Sequence, residues 1–112
     1  IKATLACAKS KGHVLVTSYG YLLAHNRALS SVRWSLAVLD EGHRIRNPEA
    51  AVTKAAKTLR ASMRLLVSGT PIQNNLIELW SLVDFCRPGW LGQLPLFRAQ
   101  MALPIAAGSW LN

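Results

Sequence analysis

Two adjacent carboxylates, Asp40 and Glu41, follow an apolar run in the stretch LAVLDEGHRIRNPEA, in a chain with 5 acidic residues against 13 Lys and Arg. On an extended segment successive side chains point in different directions. One carboxylate can hold Mg²⁺, usually through water, while the other addresses a different atom. Phosphoanhydride hydrolysis needs both tasks: a metal neutralises phosphate oxygens, and a carboxylate orients or deprotonates the attacking water. On this reading Asp40 serves the metal and Glu41 the water. The competing reading is a solvated acid pair that opens a loop. A bare Asp–Glu pair favours the loop; the preceding apolar residues and the following Gly42-His43 take weight from it.

The elements that would position these acids alternate along the chain. HVLVTSY (residues 13–19), WSLAVLD (34–40) and MRLLVSG (63–69) read as strands, rich in β-branched or consecutive apolar residues. YLLAHNRALSS (21–31) reads as a short helix. NPEAAVTKAAKTLR (47–60) is the clearest helix, with Asn47 as cap, Pro48 at its first position and Glu49 in its first turn. Its apolar stripe is Ala51, Val52, Ala55, Ala56 and Leu59, leaving Lys54, Lys57 and Arg60 to solvent. NLIELWSLVDFC (75–86) is a further helix, capped by Asn75 with Glu78 in capping-box position. Its predicted buried stripe is Leu76, Leu79, Trp80 and Val83. CRPGWLGQLP (86–95) reads as a loop and LFRAQM as one more short helix.

Continuous apolar strands separated by helices predict an α/β fold, a parallel sheet covered on both faces. In such sheets ligands bind beyond the carboxyl ends of the strands. Thr17 and Ser18, Asp40 and Glu41, and Ser68, Gly69 and Thr70 all fall at such ends. All three groups therefore belong to one edge of the sheet.

The 112 residues suffice for one small domain, and 51% of them are hydrophobic. The net charge of +8 and a pI near 10.4 suit a polyanion, either nucleic acid or an acidic membrane surface. Plain solubility explains the charge equally well. Cys7 and Cys86 share no metal-ligand spacing and read as reduced, packed thiols. No apolar run reaches the ~18 residues of a membrane span. The first residues show no signal-peptide pattern, and the chain, beginning with Ile1, reads as part of something longer.

The motifs together carry a family resemblance. VLDEGHRIRN resembles the Walker B segment of superfamily-two helicase-like ATPases, in its DEGH variant. LLVSGTPIQNNLIELWSLVDFCRPGWLG and VLVTSYGYLL resemble, in order and spacing, further motifs of the Swi/Snf-type branch. IRNPEAAVTKAAKTL and RPGWLGQLPLF are similar to the Cockayne syndrome B group, DNA-dependent ATPases of transcription-coupled repair. The resemblance implies a three-layer RecA-like lobe, of which residues 1–112 would be the C-terminal part. It implies Asp40 as the Mg²⁺-binding acid, Glu41 as the catalytic acid, and His43 as a link between the nucleotide site and the neighbouring motif. Ser68, Gly69 and Thr70 would couple hydrolysis to DNA movement, with Gln73 and Asn74 as polar residues following them. Thr17, Ser18 and Tyr19 match a segment near the tracked DNA strand, where hydroxyls and amides can contact phosphates without reading sequence.

The bland readings stand beside these. His43 can be satisfied by local backbone, Ser68–Thr70 can be a strand-ending turn, and Thr17–Tyr19 can reflect β propensity alone. Arg44 and Arg46 could approach phosphates, pair with Asp40 and Glu41, or be surface charges.

The same resemblance implies ATP as substrate with Mg²⁺, duplex DNA as partner, nucleosomes or RNA polymerase through a longer parent, no membrane, and a nuclear setting. The phosphate-cradling G-x-x-x-x-G-K-[ST] loop does not occur in the sequence. The segment by itself is therefore expected to lack ATPase activity, as the piece of a DNA translocase, remodeller or repair ATPase. The alternative is a non-catalytic DNA- or protein-binding remnant of such a lobe.

Overall fold

The computed structural model describes residues 2–10, 12–70 and 75–102. The elements in order are α1 (Lys2–Ala8), α2 (Tyr19–Ala24), α3 (Asn26–Ser30), β1 (Arg33–Leu39), a 3-10 turn (Gly42–Ile45), α4 (Ala51–Lys57), β2 (Arg60–Leu66), α5 (Leu76–Cys86) and α6 (Leu94–Phe97). A single π turn (Arg98–Ala102) follows α6.

β1 and β2 pair in parallel, with Ala37 opposite Arg64, Val38 opposite Leu65 and Leu39 opposite Leu66. A parallel pair requires a crossover, and α4 supplies it. The ladder continues past both strands: Val67 N donates to Leu39 O at 2.9 Å, and Gly42 N donates to Val67 O at 2.8 Å. Leu39, Ile45, Ala55, Ala56, Leu82 and Phe85 form the centre of the core. Arg64 reaches from β2 to the far ends of two helical segments, donating to Phe85 O at 2.9 Å and Leu59 O at 2.6 Å. The opposite sheet face is apolar yet open, with Leu36, Val38, Met63 and Leu65 exposed by 45–62%.

The first expected strand departs from the structure. Residues 13–18 have no regular secondary structure, and Val14 and Val16 are 87% and 88% exposed. β propensity favours the shape, but a strand exists only where a neighbour offers its N–H and C=O groups. Among the described residues β1 and β2 pair with each other and neither pairs with this segment.

The predicted helix over residues 21–31 begins earlier and breaks. Ser18 caps α2, its Oγ accepting from Tyr21 N at 3.1 Å, and His25 (φ −119°, ψ 28°) separates α2 from α3. The predicted helix from residue 47 starts instead at Ala51. Asn47 Oδ1 accepts from Glu49 N at 3.0 Å, closing an Asx turn that competes with helix capping. The following strand correspondingly starts at Arg60, three residues before Met63.

Lys57 is not solvated as its place off the stripe suggested. It pairs with Asp84 at 3.2 Å, with 19% of its side chain exposed, and lies 4.5 Å from the Trp80 ring centroid. Burial lowers its pKa, against the pull of Asp84.

In α5 the Asn75 cap is present, Oδ1 accepting from Ile77 N at 2.9 Å. Glu78, however, faces Arg46 at 3.9 Å. The buried face is Trp80, Ser81, Leu82 and Phe85, with Leu76, Leu79 and Val83 only partly covered. The helix is apolar on most sides, so two overlapping stripes fit its sequence. Packing selected the one with the small Ser81. After α5, Gly92 adopts φ 78°, and its carbonyl accepts from Trp80 Nε1 at 3.1 Å. Of the two cysteines, Cys86 is half-buried and Cys7 is exposed, contrary to the expectation that both pack. No helix among the described residues is long and apolar enough to cross a membrane.

Candidate nucleotide-hydrolysis site

The acid pair sits where β1 stops and the chain turns back. Glu41 lies in the left-handed region (φ 51°, ψ 47°), the sole non-glycine with positive φ among the described residues. Such backbone costs roughly 1–2 kcal/mol for an L-residue, so several contacts must hold it. Asp40 Oδ1 accepts from Glu41 N at 2.9 Å. Arg44 N donates to Glu41 O at 3.0 Å. From 21 positions away, the Tyr19 hydroxyl donates to Asp40 O at 2.6 Å and stands 3.5 Å from Glu41 O.

Gly42 is needed for a different reason. A Cβ at this position would overlap the Leu66 side chain across the sheet. Absence of a side chain lets the turn lie directly against β2, where Gly42 N bonds Val67 O.

His43 joins the acid pair to the end of β2. Its Nδ1 lies 2.9 Å from Ser68 Oγ and 3.4 Å from Glu41 Oε2. Ser68 Oγ also accepts from Thr70 N at 3.3 Å. One imidazole nitrogen thus stands between the Glu41 carboxylate and the hydroxyl of the Ser-Gly-Thr segment. Gly69 is exposed with open space where a side chain would be. Gln73 and Asn74 lie outside the described residues.

Of residues 17–19, Tyr19 reaches the same corner, through its hydroxyl and ring. Thr17 is exposed, Ser18 caps α2, and Tyr19 is half-buried. The Arg44 guanidinium lies 4.8 Å from the Tyr19 ring centroid. Burial pushes the Tyr19 phenol pKa upward, Arg44 opposes this, and Asp40 and Glu41 add to it. Arg46 is directed to Glu78 of α5. Neither arginine is ion-paired with the adjacent acids among the described residues. His43, Arg44, Arg46 and Asn47 line an open concavity of about 440 Å³ beside the turn.

Sequence reasoning missed two supports. Ser81 Oγ, fully buried, donates to Ile45 O at 2.6 Å, fixing the end of the 3-10 turn onto α5. The Tyr19 hydroxyl contact was equally unread. A small polar residue within an apolar helix was a signal for the first; nothing in the sequence singled out the second.

Asp40 is the carboxylate at this turn that could hold a hard divalent cation. Asp40 is exposed and uses one oxygen locally. No cluster of three or more metal-ligating residues occurs among the described residues. Mg²⁺ characteristically takes one or two carboxylates with waters and substrate phosphates rather than a protein cage, and Asp40 fits that requirement.

The profile of the SNF2-related domain matches residues 4–110. The DNA repair and recombination protein RAD26 of Saccharomyces cerevisiae is 52% identical over 101 residues, covering 90% of this chain and 9% of that protein. The human DNA excision repair protein ERCC-6 is 50% identical over 99 residues, covering 88% of this chain and 7% of that protein. The chain thus spans less than a tenth of the length of these curated relatives. Among solved structures, the Sulfolobus solfataricus SWI2/SNF2 ATPase core in complex with dsDNA matches with a TM-score of 0.73 at 40% identity, covering 80% of this chain and 19% of that one.

Proposed function

Because the chain belongs to the SNF2-related domain family, we propose that it is the acid-box portion of a DNA-dependent ATPase that couples ATP hydrolysis to movement on duplex DNA. The observation that carries this reading is His43 Nδ1 placed between Glu41 Oε2 and Ser68 Oγ. That placement joins the residue suited to handle water with the strand end suited to respond to it. The similarity to a core solved with dsDNA supports duplex DNA as the partner, and the net charge of +8 suits it. Similarity to two DNA repair proteins supports a role in DNA repair; a role in remodelling and a nuclear setting belong to the same proposal. Nucleosomes or RNA polymerase would be partners of the longer protein.

In the proposed reaction a water attacks the γ-phosphorus of ATP, and ADP and inorganic phosphate leave. Glu41, with 63% of its side chain exposed, orients that water and receives its proton. Asp40 would hold Mg²⁺, which when bound neutralises phosphate oxygens. His43 fixes the direction of the Glu41 carboxylate. Ser68, Gly69 and Thr70, with Gln73, would register the change in phosphate charge and pass it to the DNA-facing segment at Thr17, Ser18 and Tyr19.

The test is steady-state ATP hydrolysis by the full-length protein, with and without duplex DNA, across a Mg²⁺ titration. Asp40→Asn should lower turnover by at least ~100-fold, with part of the loss recovered at high Mg²⁺. Undiminished turnover in the variant would overturn the metal-holding role of Asp40, and no DNA-stimulated turnover by the unsubstituted protein would leave the non-catalytic binding remnant as the better reading.

A further inference from the structure

The left-handed backbone at Glu41 raises the question of what keeps it there. The local bonds from Asp40 Oδ1 and Arg44 N come from residues that move with the turn itself. Two contacts to the backbone of Asp40 and Gly42, on either side of Glu41, come from outside it. One is the Gly42–Val67 bond to the end of β2. The other is the Tyr19 hydroxyl, which donates to Asp40 O at 2.6 Å.

A phenol has one proton to donate. At 2.6 Å the Asp40 carbonyl receives it, while Glu41 O, at 3.5 Å, lies at the outer limit of a hydrogen bond. Tyr19 is itself fixed. It is the first residue of α2, directly after the Ser18 cap, and Arg44 covers its ring at 4.8 Å. The hydroxyl therefore transmits the position of the α2 start to the Asp40–Glu41 peptide unit.

We propose that Tyr19 is a positioning residue for Glu41, its hydroxyl holding the Asp40 carbonyl so that the start of α2 sets the direction of the Glu41 carboxylate. The inference rests on the proposed role of Glu41 in water activation. It also gives the segment at Thr17 and Ser18 a direct physical route to the acid pair. A ligand that shifts Ser18 moves Tyr19, and Tyr19 is bonded to the peptide that sets Glu41.

The test compares Tyr19→Phe with the unsubstituted full-length protein. Phe keeps the ring and the Arg44 contact and deletes only the hydroxyl. At saturating duplex DNA, and well below the variant's melting temperature, kcat should fall roughly 10-fold or more, as expected for a displaced catalytic group, with the KM for ATP and the DNA affinity little changed. An unchanged kcat overturns the proposal. So does a loss of DNA affinity with kcat preserved at saturating DNA, which would make the hydroxyl a DNA contact. So does a fall in melting temperature that accounts for the lost activity. Glu41→Gln, measured alongside, separates the two claims. If it retains turnover, the reading of the acid pair fails and this inference with it; if it is inactive while Tyr19→Phe is fully active, only the positioning role fails.

Discussion

His43 Nδ1 and Ser68 Oγ lie 2.9 Å apart, 25 positions distant in sequence, at the carboxyl ends of the two paired strands. A double-mutant cycle should therefore show coupling. His43→Ala and Ser68→Ala in the full-length protein should each slow DNA-stimulated hydrolysis by about 10-fold, and the double variant should be little worse than either alone. The expected interaction is on the order of 0.5–3 kcal/mol, the range for residues in contact. Fully additive losses would show that the contact does not carry the communication.

Gly42 and Leu66 should behave as a complementary pair. Gly42→Ala inserts a methyl group into space held by the Leu66 side chain. The expected cost is roughly 1–3 kcal/mol, the usual penalty of overpacking. Leu66→Ala opens that space, so the double variant should be more stable than the sum of the single losses. Denaturant midpoints of the four proteins check this.

Ser81→Ala should destabilise by about 1–3 kcal/mol, because the Ile45 carbonyl is left buried without its partner. Both residues are 0% exposed, so no solvent molecule replaces the bond without a rearrangement. Ser81→Thr retains a hydroxyl but adds a methyl group, and should recover only part of the loss. Chemical denaturation measures both.

The Tyr19 phenol gives stability an alkaline limit. Burial raises its pKa above 10.0, Arg44 opposes the rise, and Asp40 and Glu41 reinforce it. A group whose folded pKa is raised binds its proton more tightly in the native state. Its contribution is complete below pH 10 and is lost as pH rises through the folded value. Lys57, with its pKa lowered from 10.5 by burial, has the opposite sign, adding stability as pH rises through the same region. Tyr19→Phe should therefore flatten the alkaline decline relative to the unsubstituted protein. Melting temperatures between about pH 9 and 11 will show whether the two curves converge.

The strand end that carries the acid pair is more legible in the sequence than the elements around it. Asp40, Glu41 and His43 stand out because an apolar strand ends on them, and the parallel pairing of the flanking segments follows from their uninterrupted apolar runs. The segment at residues 13–18 misled because its residues favour β structure, whereas pairing depends on what lies beside it. Asn47 misled because the same side chain that caps helices also closes turns, and only the three-dimensional path of the chain decides between them. Lys57 reads as a surface charge until Asp84 and Trp80 arrive from α5, beyond the intervening strand β2. The Tyr19–Asp40 bond joins a hydroxyl to a backbone carbonyl, a partner that no side-chain pattern advertises.

The central claim is that Glu41 activates water in an ATPase driven by duplex DNA. The most direct measurement is ATP turnover by the full-length Glu41→Gln protein with saturating duplex DNA, paired with a nucleotide-binding assay. The account predicts turnover reduced by roughly 100-fold or more, with ATP still bound, since the amide retains size but cannot accept the water's proton. Undiminished turnover in that variant would contradict it.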